Sequence, residues 1–188
     1  MIVILDTRNQ KDSFVQDALE KLGCKILRSK LPFGDVALSS NILNCIDLKS
    51  SSGGLLELSK NRCSKDHNRM KAEIENCMSC GGNITFMCFE PGMTKIDDIA
   101  SWKVPTFKGD LYKKIVKGDG SVERILLHKK GQPMTKVNPE TLMKSIRTMT
   151  SQDHYREGFK VNFEFATKQN CGEKILKILQ GEKGNGNN

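Results

Sequence analysis

The spacing of apolar residues divides the first part of the chain into short strands and a helix. The apolar run at residues 2–5 predicts a buried strand, and residues 25–28 predict a second one. Between them, four apolar residues recur at the spacing of one helix face and predict its buried side: Val15, Ala18, Leu19 and Leu22. We expect Asp12 or Ser13 to cap this helix and Gly23 to end it.

The next stretch predicts a β-hairpin that carries acidic side chains. One strand begins at Asp35, directly after the turn at residues 32–34, and a second strand runs over residues 42–49. Side chains alternate between the two faces of a strand, so Asp47 and Lys49 point to the same side. If the two strands pair, the carboxylates of Asp35 and Asp47 meet at one end of a sheet.

The middle of the chain adds two helices and one strand. A short helix is expected around Leu55, and a longer one over about residues 65–78. The continuous apolar run at residues 84–89 is typical of a central strand that is covered on both faces. The order of strand, helix, strands, helices and strand indicates an α/β layer architecture.

The last part of the chain returns to regular structure. Asn138 followed by Pro139 predicts a helix start. Four apolar residues alternate with polar ones and predict a half-buried strand: Phe159, Val161, Phe163 and Phe165. Asn170 and Glu173 have the spacing of a capping box for a final helix. Residues 1–180 are therefore predicted to form a single domain, followed by a flexible tail at 181–188.

Composition narrows the class of protein. The 188 residues are 37% hydrophobic and 28% charged, as in a soluble protein. The sequence has neither a signal-peptide core nor an apolar run long enough to cross a membrane, which predicts an intracellular location: the cytoplasm or nucleoid, or the host cytoplasm for a phage protein. Seven cysteines without a secretory signal favour reduced thiols over a disulfide framework.

The charge is concentrated in one region. The formal net charge is +8, and a basic protein most often has a polyanionic partner, nucleic acid first. Residues 93–136 read as a basic insertion that resembles a hairpin, with strands near 112–116 and 122–127. Eight of its basic residues are the predicted DNA contacts: Lys103, Lys108, Lys113, Lys114, Lys117, Arg124, Lys129 and Lys130. Lys136 adds a further positive charge at its end. The alternative is a solvated ribbon whose lysines block aggregation.

The acidic hairpin suggests metal chemistry. Two carboxylates at one end of a sheet suit Mg²⁺, which takes few protein ligands and keeps several waters. Lys49 beside Asp35 and Asp47 could orient or activate a water and offset charge at a phosphate. Alone, an Asp-x-Lys motif is more often a solvated surface pair.

Five motifs in order along the chain strengthen the chemical interpretation. They lie at residues 3–8, 31–38, 46–50, 65–73 and 83–90. This order resembles the XPF-type branch of the PD-(D/E)xK nuclease superfamily, in particular its compact phage and bacterial members. The resemblance covers about the first 90 residues well. It implies a restriction-endonuclease-like fold, in which helices flank a central mixed β-sheet.

The resemblance also implies an activity, a divalent-metal-dependent DNA endonuclease that acts on branched or flapped DNA, with homodimers as a further expectation. Asp35, Asp47 and the carbonyl of Leu48 would hold Mg²⁺, for which Mn²⁺ may substitute, and Lys49 would act on the water. Four more residues are expected to contribute: Asp6 as a further carboxylate, Arg8 on a phosphate oxygen, and Arg69 with Glu73 as support from the helix. For the last two, an ordinary ion pair is the alternative.

Two departures from the family pattern leave other functions open. Leu48 stands where the family has an arginine, and Gly53 stands where it has an acidic residue. A catalytically inactive DNA-binding module on the same fold is therefore the main alternative. A zinc-bearing module is a weaker one, because four residues have only loosely suitable spacing: Cys63, His67, Cys77 and Cys80.

Overall fold

A computed structural model describes residues 1–9, 12–49, 53–63, 66–151, 155 and 158–181. Within these residues the chain forms eight strands and five α-helices. The strands are β1 (Ile2–Asp6), β2 (Lys25–Ser29), β3 (Val36–Leu38), β4 (Asn41–Lys49), β5 (Asn83–Cys88), β6 (Leu111–Val116), β7 (Val122–His128) and β8 (Val161–Phe165). The helices are α1 (Ser13–Lys21), α2 (Gly54–Cys63), α3 (Asp66–Ser79), α4 (Pro139–Thr150) and α5 (Cys171–Leu179), with a 3₁₀ helix at Ile96–Ser101.

Six of the strands form a central mixed sheet in the order β2-β1-β3-β4-β5-β8. β3 pairs antiparallel with both β1 and β4, which confirms the predicted hairpin. The other three pairings, β1 with β2, β4 with β5 and β5 with β8, are parallel. β5 therefore lies inside the sheet, as its mostly apolar sequence predicted.

Alternating side chains send the strands' apolar residues into two cores. Ile46 and Leu48 of β4 pack on the side of α1 and α5. Cys45 of the same strand packs on the opposite side, where Ile74 and Cys77 of α3 cover the sheet. Because Asp47 and Lys49 share the face of Cys45, the period of the strand places both charges beneath α3.

A third core closes the end of the sheet. It combines apolar residues from α2, the 3₁₀ helix, α4 and β8, including Leu55, Ile99, Leu142 and Phe165. Trp102 and Val137, at the two ends of the basic segment, are buried in the same core, 5% and 6% exposed. The segment predicted as an insertion at 93–136 is thus anchored in the body at both ends.

β6 and β7 form a separate two-stranded sheet, which confirms the predicted hairpin. Hydrogen bonds extend the pairing below the strands, because Phe107 N donates to Gln132 O and Met134 N donates to Pro105 O, at 3.0 and 2.8 Å. We call residues 105–134 the ribbon.

Several local predictions are wrong or lie outside the described residues. Leu22 was expected on the buried face of α1, but it is 45% exposed, since the helix ends at Lys21 and Leu22 belongs to the turn. Asn170 makes no capping bond to α5, because its Oδ1 accepts from Thr167 N of the preceding turn instead. Lys65 and residues 182–188 lie outside the described part of the chain.

Two predicted helix starts hold. Asn138 caps α4, its side chain accepting a hydrogen bond from Thr141 N at 2.7 Å. Asp12 occupies the N-cap position of α1, although its carboxylate pairs with Arg28 rather than with the helix. Within the described residues, no helix is long and apolar enough to cross a membrane.

The packing of α1 yields a test by truncation. Leu19 is fully buried, so Leu19→Ala should lower the free energy of unfolding by about 2–5 kcal/mol. Leu22→Ala, three residues later, should cost no more than about 1 kcal/mol because nearly half of that side chain is in water. Urea denaturation followed by circular dichroism measures both, and equal losses would contradict the placement of Leu22.

Candidate active site

The antiparallel pairing of β3 with β4 brings the predicted acidic residues together. Asp35 precedes β3, and its backbone N–H donates to Ile46 O at 2.7 Å, which fixes it beside β4. The side chain then turns back toward the neighbouring strand, so Asp35 Oδ2 accepts a hydrogen bond from Leu48 N at 2.8 Å. Asp35 and Asp47 therefore face the same space, as the hairpin prediction required.

That space is a cleft of about 650 Å³ beside the central strands β3 and β4. Its charged lining residues are Arg8, Asp35, Asp47, Lys49, Glu57, Arg69 and Glu73. Six of these seven residues were predicted from the sequence. Leu48, the predicted carbonyl ligand, also borders the cleft, although its side chain is buried in the core on the other face of the sheet.

Asp47 and Lys49 form a buried ion pair at the floor of the cleft. Lys49 Nζ lies 2.6 Å from Asp47 Oδ1, and the two residues are only 4% and 5% exposed, the lysine being the less exposed. Burial is the largest single influence and lowers the pKa of Lys49, but the contact with Asp47 and the charges of Glu57 and Asp35 together outweigh it and the pKa is raised. Lys49 also lies over the ring of Phe86, 5.5 Å from its centroid. The amine is thus held as a cation.

Three carboxyl groups crowd around this single cation. Burial and the charge of Asp47 raise the pKa of Asp35 to about 8. The same two causes raise the pKa of Glu73. Above the pKa of Asp35, one lysine does not balance the three carboxylates, whereas at neutral pH Asp35 is mostly protonated.

The turn before β3 connects the cleft to α3. Gly34 adopts a φ of +67°, and its N–H donates to Glu73 Oε1 at 2.8 Å. A Cβ atom at this position would lie 2.9 Å from Cys45 Sγ, so only glycine fits here without a shift. Glu73 thus uses the turn as its partner. The alternative expected for it, an ion pair with Arg69, does not form in the described structure, and Arg69 is exposed at the cleft.

Asp6 holds Arg8 rather than facing the cleft. Its carboxylate accepts from Arg8 Nε and Nη2, both at 2.8 Å, and from Leu31 N at 2.7 Å. Burial raises the pKa of Asp6, but these hydrogen bonds outweigh it and the pKa is lowered. Arg8 is 57% exposed and is oriented at the cleft. The geometry of Asp6 matches a strand-end anchor, and its predicted role as a further site carboxylate stays a prediction.

Glu57 is the cleft residue that the sequence reasoning missed. Its Oε1 lies 3.9 Å from Lys49 Nζ, on the first turn of α2. Gly53, which stands where the family pattern has an acidic residue, has a φ of +92° and lies against the carboxylate of Glu90. The sequence does carry a signal for Glu57. Side chains in a helix tilt toward its N-terminus, so an acidic residue in the first turn of α2 reaches back toward the strand that carries Asp47 and Lys49.

The oxygen donors of the cleft fit a hard divalent cation. Mg²⁺ commonly takes one or two carboxylates together with waters, and Asp35 and Asp47 supply them. Asp47 Oδ1 is buried and has no aligned hydrogen bond, since its contact with Lys49 is an ion pair. Among the described residues, no group of three or more His, Cys, Asp or Glu side chains is arranged to hold a metal ion. The fit therefore rests on two carboxylates with waters, not on a closed protein cage.

The zinc spacing is only partly described. Cys77 is fully buried in the core of α3 and contacts the thiol of Cys45, whereas Cys80 is exposed. The side chains of Cys63 and His67 lie outside the described residues. A buried thiol and an exposed one, three positions apart, do not converge on one site.

The predicted DNA contacts lie on the surface. Eight basic side chains between residues 103 and 130 are exposed: Lys103, Lys108, Lys113, Lys114, Lys117, Arg124, Lys129 and Lys130. Lys136 is exposed as well. The positive charge of the protein is therefore concentrated on and beside the ribbon, away from the acidic floor of the cleft.

The six-stranded mixed sheet, its flanking helices and the acidic cleft define a restriction-endonuclease-like α/β fold. Among solved structures, the chain is similar to XPF from Aeropyrum pernix, with a TM-score of 0.53 and 14% sequence identity. The match covers 100% of this chain and 64% of that one. This likeness shows a common fold. Comparison with protein-family profiles and with curated proteins finds no match.

Because the carboxylates crowd together, we expect that removing one of them stabilises the protein in the absence of metal and weakens metal binding. At pH 9, above the raised pKa of about 8, Asp35→Asn removes one half-buried negative charge but keeps an oxygen that can accept from Leu48 N. In EDTA, the melting temperature should rise by a few degrees, since about 1 kcal/mol corresponds to 2–4 °C in a chain of this size. Asp17→Asn, on the exposed face of α1, is the control and should leave it unchanged. A lower melting temperature for Asp35→Asn would contradict the crowding.

Proposed function

We propose that this chain is a divalent-metal-dependent endonuclease that hydrolyses phosphodiester bonds in DNA, with a preference for flapped, forked or branched substrates. One observation carries the proposal. Asp35, Asp47 and Lys49 converge at the floor of one cleft, with the cations Arg8 and Arg69 also in its lining. Acidic oxygens beside a buried lysine suit metal-assisted attack of water on a phosphate.

Asp35 and Asp47, with the carbonyl of Leu48, would hold Mg²⁺ or Mn²⁺. When bound, the ion supplies Lewis-acid stabilisation of the negative charge that develops on the phosphate. The ion would also favour the ionised form of Asp35 and balance the charge of the crowded carboxylates, which supports placing it at these residues.

Lys49 is proposed to act on the attacking water. Its ammonium group is buried and stays charged, so it can donate a hydrogen bond to the water and offset charge at the scissile phosphate. In the resting protein it is paired with Asp47. Glu57 is its second acidic neighbour, with Oε1 3.9 Å from Lys49 Nζ, so we propose that Glu57 keeps Lys49 in position.

Arg8 is proposed to bind a phosphate oxygen of the DNA backbone. Asp6 engages one edge of its guanidinium group and Leu31 O accepts from the same Nη2, so the side chain is oriented before substrate arrives. With Nε and Nη2 engaged in this way, Nη1 is the guanidinium nitrogen left to donate to a phosphate oxygen. Arg69 and Glu73 line the same cleft from α3, Arg69 as a second cation.

A non-catalytic DNA-binding module is the second candidate function. The departures at Leu48 and Gly53 favour it, because both change the family pattern next to the predicted catalytic residues. It predicts salt-sensitive DNA binding without cleavage. Homodimer formation and an intracellular location stay predictions.

The deciding experiment is a cleavage assay on linear, flap, fork and four-way-junction DNA, with Mg²⁺, Mn²⁺ or EDTA. We expect cutting only with metal, and its complete loss in Asp47→Ala and in the isosteric Asp47→Asn. Both variants should still bind DNA, and circular dichroism checks that they fold. Full cleavage by either variant would remove Asp47 from the site. Binding without cutting by the wild type would favour the second candidate.

Glu57 gives a graded prediction. Because it contacts Lys49 and not the substrate, Glu57→Ala should lower turnover about tenfold, in the range of residues that orient a catalytic group. The Mg²⁺ concentration for half-maximal rate should stay the same. Glu57→Asp, which keeps the charge, should recover part of the rate. A changed metal requirement would instead assign Glu57 to the metal.

A further inference from the structure

The ribbon is a stable projection of the protein body. Its root is fixed by the burial of Trp102 and Val137, and Trp102 Nε1 also donates to Glu90 Oε1 at 3.2 Å. Above the root, the rings of Phe107 and His128 stack with their centroids 4.4 Å apart. The register shifts between Leu111 and Tyr112, and beyond that point the strands pair without a further shift. The orientation of the ribbon is therefore determined by the core.

The upper part of the ribbon exposes apolar side chains to water. Every residue of β7 is exposed, and so is every residue of β6 except Ile115. Val116 and Val122, at the end near the turn, are exposed by 70% and 58%. Two-stranded sheets are marginally stable alone, and exposed apolar strands invite aggregation. A surface of this kind therefore indicates a partner.

The register separates the ribbon into two faces. Directly opposed residues of paired strands share a face, and three such pairs follow one another at every second position. They are Tyr112 with Leu126, Lys114 with Arg124, and Val116 with Val122. We call these six residues the cationic face. The two intervening pairs, Lys113 with Ile125 and Ile115 with Glu123, lie on the opposite face.

The central pair of the cationic face consists of two like charges. Lys114 and Arg124 stand directly opposite each other, an arrangement that destabilises a hairpin. The acidic residues of the ribbon do not compensate this repulsion, because each has another partner. Glu123 pairs with Lys117 at 3.1 Å, while Asp119 accepts from Ser121. Asp110, the third, accepts from Lys130 N at 2.8 Å. A polyanion would remove the repulsion, which is why we assign the partner by charge.

We propose that the cationic face is a nucleic-acid-binding surface that recognises branched DNA. Lys114 and Arg124 bind backbone phosphates, and Val116 with Val122 packs against bases that are exposed at a branch or a strand end. This inference rests on the proposed function and adds the feature of the substrate that is recognised. Apolar side chains are known to insert where bases are unstacked, and a two-stranded ribbon fits a DNA groove.

A pair of adjacent lysines tests the face. Lys114→Ala and Lys113→Ala remove the same charge from neighbouring positions on opposite faces of β6. DNA affinity is measured by fluorescence anisotropy in EDTA, on a fork and on a linear duplex of equal length. Lys114→Ala should weaken binding to both roughly tenfold and lower the salt dependence by about one charge. Lys113→Ala should have a clearly smaller effect. Equal losses in the two variants would overturn the proposal.

The apolar end is tested in the same way. Val116→Ser and Val122→Ser should weaken fork binding at least severalfold more than linear binding, because only the fork offers exposed bases. Ile125→Ser, on the other face of the same strand, is the control and should affect both alike. Unchanged fork preference in the valine variants would overturn the role of the apolar end.

The outcomes separate this inference from the proposed nuclease. Binding is measured without metal, so it does not depend on catalysis. One outcome is that the wild type cuts no DNA with or without metal while the valine variants lose their preference for the fork. That result would overturn the nuclease but support the binding face. The opposite pattern, Asp47-dependent cleavage with wild-type binding by all ribbon variants, would overturn the binding face alone. Conversion of a dimer to a monomer by Val122→Ser at unchanged DNA affinity, seen by sedimentation, would also overturn it.

Discussion

The buried ion pair between Lys49 and Asp47 is the constraint around which the cleft is built. A charge removed from water is costly unless a partner of opposite sign compensates it, and here the two residues lie on one strand with their side chains on one face. Asp35 and Glu73 then approach the same point from the neighbouring turn and from α3. Three carboxyl groups therefore crowd around one lysine, and a divalent cation bound there would relieve the repulsion among them.

The parts of this arrangement that follow from local periodicity were predictable. Alternation along β4 placed Asp47 and Lys49 together, and the turn at Gly34 predicted a neighbouring strand that brings Asp35 beside them. These features depend on side chains only a few residues apart. The helical spacing of Arg69 and Glu73 likewise placed both residues on one side of α3, where they line the cleft.

The parts that depend on packing between distant elements were not predictable. Glu57 reaches Lys49 only because α2 begins against β4 and β5, where a Cβ on Gly54 would lie 2.4 Å from Lys49 O. The capping choice of Asn170 depended on competition with the turn at Thr167. The burial of Trp102 could not be seen in a segment whose composition is mostly polar. In each case the contact depends on how elements pack or compete for a partner, which the spacing of residue types along the chain does not determine.

Gly34 has no reactive side chain, yet the positions of carboxylates in the cleft depend on it. Its positive φ turns the chain so that its N–H meets Glu73, and the absence of a side chain leaves room for the thiol of Cys45. Any larger residue would have to displace either the strand or the helix, and with it two carboxylates. Tolerance to substitution at this position is therefore set by free volume, and in a mutational scan it would be indistinguishable from that of the acids it positions.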